Sequence, residues 1–405
     1  MSQLTETRRF IQREWRFLLF GLLLSFWSSP GQTFVISLFG GHIRSDFDLT
    51  HGEFGTIYTC ATLISAALLW KTGPLVDHLP LKKFVQQAAT IMIISIALVA
   101  GVQGPITLFF GIFFVRFMGQ GMLHHIAMTA MARRYQKERG RAIAIAGLGF
   151  PIGESLFPPL VVLALGIYDW QLLWPVMAIF AAITLLPLIP KLIGHTSSQD
   201  GQGTSELAQF DEDARHWTRA EMLRDKRFFL LALTPIAQSG IITGVFFHQV
   251  HLISLKGWSM EWWSICFSIF AASSLIGGLL SGFLVDHFRA RSVAPLVLLP
   301  LAIGLTLFAI ADHPAFAAII MAIFGFGAGA NNPALSSLWA ELYGVKHLGA
   351  IRSVANVVMV FGSALGPVFM GAALDAEISL QTLAYISAAL AAGGAVACKI
   401  ALKNS

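Results

Sequence analysis

The sequence predicts an all-α membrane protein, with twelve transmembrane helices arranged as two pseudo-symmetric six-helix bundles. Three observations carry that expectation. Apolar residues make up 56% of the 405 and charged residues only 12%, where a soluble domain runs near ~25% charged. Hydropathy divides the chain into twelve stretches, each of the ~20 residues or more that a bilayer core demands. Finally, the chain repeats. Gly73-Pro-Leu-Val-Asp77-His78 and Gly282-Phe-Leu-Val-Asp286-His287 lie 209 residues apart with five of six positions identical. Gly140 and Gly349, Gly153 and Gly362, and Pro158 and Pro367 keep the same offset. One register held over about 85 residues reads as two copies of a unit of roughly 200 residues. A duplicated apolar unit is how many membrane transporters place a binding site between two halves.

The first stretch, 17–43, follows Arg8, Arg9, Arg13 and Arg16. It is too long for a signal-peptide core and no small-residue cleavage site follows it, so it reads as a membrane span. Spans two to six are expected at 52–79, 81–101, 104–133, 139–166 and 168–193, and spans seven to twelve at 227–254, 259–284, 290–310, 314–342, 347–372 and 378–401. Period-two alternation is absent, which argues against a β-barrel, and the Gly and Pro that interrupt many spans are tolerated between packed membrane helices. The one long polar stretch separates spans six and seven and contains Asp211-Glu-Asp213. The expected organisation is therefore a bundle over 1–194, a cytoplasmic linker over 195–226 and a second bundle over 227–405.

The distribution of cations gives an orientation. Of the 27 Lys and Arg, only Arg44 and Lys256 fall in loops of one parity, Arg116 lies inside a span, and the rest sit at the opposite ends. The positive-inside rule then puts both termini in the cytoplasm, in a multi-pass protein of the cell (inner) membrane. The net charge of +5 is a topology signal and does not suggest nucleic acid, since no basic cluster interleaves with aromatics on a polar domain. Cys60, Cys266 and Cys398 lack pairing or CxxC spacing and read as packing residues.

Gly73-x-x-x-Asp77-His78-x-x-x-Lys82-Lys83 follows span two, and this arrangement resembles the major facilitator superfamily. The family signature in that loop has a basic residue where His78 stands and a Gly where Pro80 stands. The second copy keeps Gly282, Asp286 and Arg291 but has Arg289 at the Gly position. Arg116-Phe-Met-Gly119-Gln-Gly121 resembles the family's Arg-x-x-x-Gly motif, displaced by one residue. The resemblance covers nearly the whole chain. It implies that Gly73, Asp77, Lys82, Lys83, Gly282, Asp286 and Arg291 form a gating cluster that latches the halves on the cytoplasmic side. Physically, an Asp in such a turn can pair with Arg or Lys and favours a neighbouring helix N-terminus; the alternative is an ordinary polar turn.

Polar groups at bilayer depth are expensive and face a cavity or a partner helix. Selected by depth alone, they are Gln32, Arg116, Glu154, Gln238, Asn331 and Asn332. All but Glu154 fall on spans one, four, seven and ten, which the resemblance implies line the central cavity. Gln32, Arg116, Gln238, Asn331 and Asn332 are thus candidates for substrate binding, with Glu154 and Arg116 for proton coupling. Arg116 and Glu154 are the one charged pair at mid-depth, readable as a staple between spans four and five, as a titrating pair or as an anion anchor. Gly147-Leu-Gly149-Phe-Pro151-Ile-Gly153-Glu154 resembles the family's Gly/Pro-rich antiporter motif, with Phe150 and Glu154 departing from it. Its bland reading is close helix packing with a kink at Pro151.

His248 and His251 share a helix face, but no Cys or carboxylate joins them at ligand spacing, so no metal site is expected; a pH-sensitive gate at His248 and plain cavity-facing roles stay open. No nucleophile–base arrangement or phosphate-binding loop appears, so neither an enzyme, a cofactor nor ATP-driven transport is expected. What is expected is a monomeric secondary transporter for a small organic solute, anionic or amphipathic, working by alternating access with a proton as candidate coupling ion. The alternatives are a drug or metal-ion exporter, or a membrane sensor of the same fold. Glu154, Pro158-Pro159 and Gly366-Pro367 resemble bacterial relatives of the monocarboxylate and oxalate–formate carriers. Span eight lacks their Asp-Arg pair and span one their Lys, so the substrate does not transfer.

Overall fold

The structure, a computed structural model, describes residues 3–135, 138–194 and 217–403. These are almost wholly helical, and no strand occurs among them. Eleven helices are long and apolar enough to cross a membrane, or twelve spans if one bent pair counts as a single crossing. That pair is α1 (Thr5–Gly31) and α2 (Thr33–Asp46), bent by 46°. The remaining helices of the first half are α3 (His51–His78), α4 (Leu81–Gly101), α5 (Pro105–Arg134), α6 (Arg139–Leu165) and α7 (Trp170–Ile193). In the second half come α8 (Lys226–Phe247), the short α9 (Gln249–Leu255), α10 (Met260–Phe288), α11 (Ala290–Ile310), α12 (Phe316–Tyr343), α13 (Leu348–Asp375) and α14 (Leu380–Lys403).

The chain divides into two compact units, residues 1–48 with 60–204, and residues 49–59 with 205–405. In the first, α1 packs on α5, α6 and α7, and α4 on α7. In the second, α10 pairs with α12, α8 with α13 and α14, and α11 with α12 and α14. The repeat seen in the sequence recurs in this packing. A Cβ on Gly153 would collide with Ser29 of α1, and a Cβ on Gly362 with Ile236 and Ser239 of α8. The duplicated glycines therefore make equivalent close helix approaches, each within its own unit. Outside these seams large apolar side chains stand bare, such as Leu279 at 78% and Phe283 at 65% exposure. Such surface would be a liability in water and is ordinary against lipid.

Two spans differ from the expected continuous helices. Span one breaks at Gln32, whose φ of −90° and ψ of 154° are extended. The cause is local: Ser28-Ser29-Pro30-Gly31 combines weak helix formers with a Pro and a Gly. Span seven ends at Phe247, with His248 at φ −98° and ψ 12° before α9 resumes. Cys60, read from sequence as packing, is exposed on α3, while Cys266 and Cys398 are buried.

Of the expected linker, 195–216 lie outside the described residues. Residues 217–226 lie against the second unit: Trp217 N–H donates to the Tyr343 carbonyl at 2.9 Å. Thr218 and Glu221 form a capping box on the short helix Arg219–Met222, and Asp225 caps α8. Burial alone would raise the Asp225 carboxyl, but hydrogen bonds from Arg227 outweigh it and hold the group below the usual carboxylate range.

Candidate functional site

The break in span one is where the mid-depth polar groups of the first unit gather. Within α5, residues Arg116–Leu123 form a π-helical segment, a wide turn that leaves i→i−4 carbonyls unclaimed and often marks a functional site. It meets the break through glycine. A Cβ on Gly31 would strike the Val115 carbonyl oxygen, and one on Gly119 would come within 2.9 Å of the Gly31 Cα. Arg116 sits in this contact at 1% exposure and its Nη1 donates to the Gly31 carbonyl at 3.2 Å. A helix that stops in mid-membrane frees backbone acceptors, and here a buried guanidinium meets one of them.

α6 approaches the same break from another side. Gly149 abuts the Leu22 and Phe26 backbone, and Gly153 abuts Ser29, so the Gly-rich run of α6 does serve close helix contact. Glu154, the next residue, is 6% exposed and has no hydrogen-bond or ion-pair partner among the described residues. The staple read from sequence is therefore absent, because no ion pair joins Arg116 to Glu154. The reason is geometric: the π-turn aims Arg116 at the Gly31 carbonyl, while Glu154 reaches the break from the α6 side. Gln32 is the extended residue itself, at 8% exposure. Ser29 was not singled out from sequence, yet its hydroxyl is buried beside Gly153 without a hydrogen-bond partner. The Pro-Gly within a span was the available signal.

In the second unit Gln238 lies on α8 at 6% exposure, and its Oε1 lacks a hydrogen-bond partner, as does the Asn331 Oδ1 on α12. Asn332 is exposed, and its Oδ1 accepts from Ser336 Oγ at 3.1 Å; Ser336 in turn accepts from Arg352 of α13 at 2.9 Å. Arg352 escaped the depth criterion because it stands in the opening turns of its span.

The two signature loops use opposite charge arrangements. In the first unit Asp77 pairs with Arg133 at the end of α5, Nη1 to Oδ1 3.2 Å, and the same nitrogen donates to the Val76 carbonyl at 2.9 Å. His125 Nε2 lies 3.2 Å from the Gly73 carbonyl and donates to it. In the second unit the loop supplies the cation: Arg291 pairs with Glu341 of α12 at 3.1 Å, while Asp286 is exposed and unpaired among the described residues. Neither Arg133 nor Glu341 was picked out from sequence, since each is one charge among several at a helix end. Lys82 and Lys83 are exposed on the first turn of α4, and Gly282 has open space around it.

The model of the Major Facilitator Superfamily matches residues 19–367, with a second match over 256–404. The chain belongs to the major facilitator superfamily. A curated relative, monocarboxylate transporter 13 of Bos taurus, is 26% identical over 252 residues, which are 60% of this chain and 55% of the relative. The chain thus spans about half the length of that relative. Among solved structures, the nucleoside transporter NupG superposes with a TM-score of 0.74 at 18% identity, covering 96% of this chain and 99% of that one. A bacterial homologue of the human lysosomal transporter Spinster, inward-facing and unoccupied, gives 0.68 at 16% identity over 95% and 92%. These structural likenesses speak to the fold. The protein is a multi-span membrane protein of this superfamily.

Proposed function

We propose that this superfamily member is a proton-coupled secondary transporter of a small organic anion, with Arg116 as the anion anchor and Glu154 as the proton carrier. The observation that carries the reading is the buried guanidinium of Arg116 at the break of span one, whose Nη1 donates to the Gly31 carbonyl at 3.2 Å. A carboxylate can compete for that group, because it brings an opposite charge and two acceptor oxygens that match the guanidinium fork, where a carbonyl offers one neutral acceptor. Gln32 and Ser29 at the same break offer further polar contacts, and in the second unit Gln238 and Asn331 hold acceptor atoms without hydrogen-bond partners. The likeness to a protein named as a monocarboxylate transporter favours a carboxylate substrate, although this chain lacks the Asp-Arg pair in span eight.

Glu154 suits proton carriage because a buried carboxyl without a fixed partner changes charge as its surroundings change. A proton moving with an anion also lowers the net charge crossing the membrane. Asp77 with Arg133 and Arg291 with Glu341 would act as latches at the basic ends of the two units, and the termini would lie in the cytoplasm. The test uses proteoliposomes: a panel of labelled small carboxylates is offered with and without an imposed pH step. Accumulation driven by the pH step supports the proposal. Uptake of cations in preference to carboxylates, unchanged in Arg116→Ala, overturns it.

A further inference from the structure

Three imidazoles meet at the end of α3 remote from the Asp77 turn, all within the second unit. The His51 ring centroid lies 4.3 Å from that of His251 and 5.5 Å from that of His248. They come from separate elements: His51 opens α3, His248 stands between α8 and α9, and His251 lies in the first turn of α9. His248 Nε2 is 2.8 Å from the Pro367 carbonyl, which can only accept, so that nitrogen carries its proton there.

Around them the opening turns of α3 dock on α13 by backbone contact. Gly55 abuts Pro367, Gly52 abuts Ala372, and Gly371 abuts the His51 carbonyl. The Thr59 hydroxyl donates to the Ala364 carbonyl, and the Phe54 and Tyr58 rings pack at a tilt against Phe247, with centroids 4.7 and 4.5 Å away. Asp375 closes the joint, accepting from the His51 N–H at 2.9 Å and the Gly52 N–H at 2.7 Å. It caps α3 in trans, where a carboxylate also favours the positive end of the helix dipole. A cavity of about 470 Å³, lined by His51, His251, Lys256, Leu374, Glu377 and Gln381, adjoins the joint. It gives solvent protons a path to two of the three rings.

We propose that His51, His248 and His251 form a shared proton-binding site whose loading releases the opening turns of α3 from α13. The neighbouring charges set the direction. Glu53 on α3 accepts from the Thr50 N–H at 2.9 Å. Lys256, at the end of α9, donates to the Ala309 and Ala311 carbonyls at 3.3 and 2.7 Å, and Glu377 stands across the cavity on the α13 side. Asp375 is the carboxylate bonded to the joint, so one added positive charge near His51 is balanced. A second proton puts like charges on rings whose centroids lie 4.3 and 5.5 Å from that of His51, in a close-packed seam. The docked joint therefore binds fewer protons than the released one, and by linkage acid favours release while neutral pH favours docking. Among the described residues no group of His, Cys, Asp and Glu is arranged to hold a metal ion. Neither Arg116 nor Glu154 takes part, and the site stands or falls apart from the transport reading.

The experiment needs no substrate. Spin labels at Thr56→Cys and Gln381→Cys, in a background with Cys60, Cys266 and Cys398 replaced, report the distance between α3 and the start of α14 in detergent. The pH values are about 7.5 and about 5, either side of the ordinary imidazole pKa of about 6.5. The expected result is a docked distance at the higher pH and at least a roughly twofold larger long-distance population at the lower, with a midpoint near the imidazole range. His51→Gln and His251→Gln, singly and together, are expected to stay docked at both pH values. An unchanged wild-type distribution overturns the proposal without recourse to any variant, and so does an acid shift that persists in the double variant.

Discussion

Arg116 and Glu154 are the residues on which the proposed transport chemistry rests, and their settings differ. Arg116 has a bonded neighbour in the Gly31 carbonyl, whereas Glu154 is buried without a partner among the described residues. Replacing Arg116 by Lys keeps the charge but loses the planar fork, so carboxylate binding is expected to weaken by about tenfold or more. Isothermal titration of the detergent-purified protein with the best carboxylate from the panel checks this; equal affinity in Arg116→Lys would show that no bidentate contact is made. Glu154→Gln removes the ionisable proton at nearly constant shape. Exchange between substrate-loaded faces requires only that the loaded carrier turn over, while accumulation requires the proton to be carried. The variant is therefore expected to keep exchange and lose pH-driven accumulation. Should it accumulate substrate like the wild type, Glu154 is a structural residue and coupling lies elsewhere.

The break of span one and the π-turn of α5 form one joint, since each supplies the glycine that lets the other approach. Gly31→Ala would press a methyl group onto the Val115 carbonyl oxygen, and Gly119→Ala would bring one against the Gly31 Cα. Overpacking of this kind costs about 1–3 kcal/mol, and both variants are expected to lower the thermal unfolding midpoint in detergent. Gly147→Ala, at a glycine with open space around it, is the control expected to leave the midpoint unchanged. The Asp77–Arg133 pair calls for a different expectation. Both side chains are about half exposed, 53% and 43%, and exposed ion pairs contribute about 0–1 kcal/mol. Asp77→Asn is thus expected to insert and melt normally while transporting more slowly. A wild-type rate at equal membrane abundance would remove the latch role.

For the whole molecule, the asymmetry of Lys and Arg between loop ends is an energetic statement about which face stays in the cytoplasm. Reporters that are active on one side of the membrane only, fused after Ser405 or before Met1, are expected to place both ends on the cytoplasmic side. Labelling by an impermeant thiol reagent should then reach a cysteine introduced at Lys256 from outside intact cells, and one at Lys83 only after permeabilisation. Reversed accessibility would place the Asp77–Arg133 and Arg291–Glu341 pairs on the outer face instead.

Long apolar stretches and a kept offset of 209 residues made the helices and the duplication legible without coordinates. A bilayer forces each spanning segment to satisfy its own backbone, so hydropathy maps directly onto helices. The depth of a polar residue along its span was read for the same reason, and it singled out Gln32, Arg116, Glu154, Gln238, Asn331 and Asn332, of which Asn332 stands exposed. Pairing was not. Whether Arg116 meets Glu154 or a carbonyl depends on a broken helix and a π-turn, and both arise from how glycines let two segments touch. The opposed charges of the signature loops, Asp77 to Arg133 and Glu341 to Arg291, were equally hidden, because helix ends remote in sequence supply the partners. The three imidazoles converge only where the start of α3 lies against α9 and α13. A one-dimensional pattern carries depth and period; which side chains share a point in space is decided by tertiary packing.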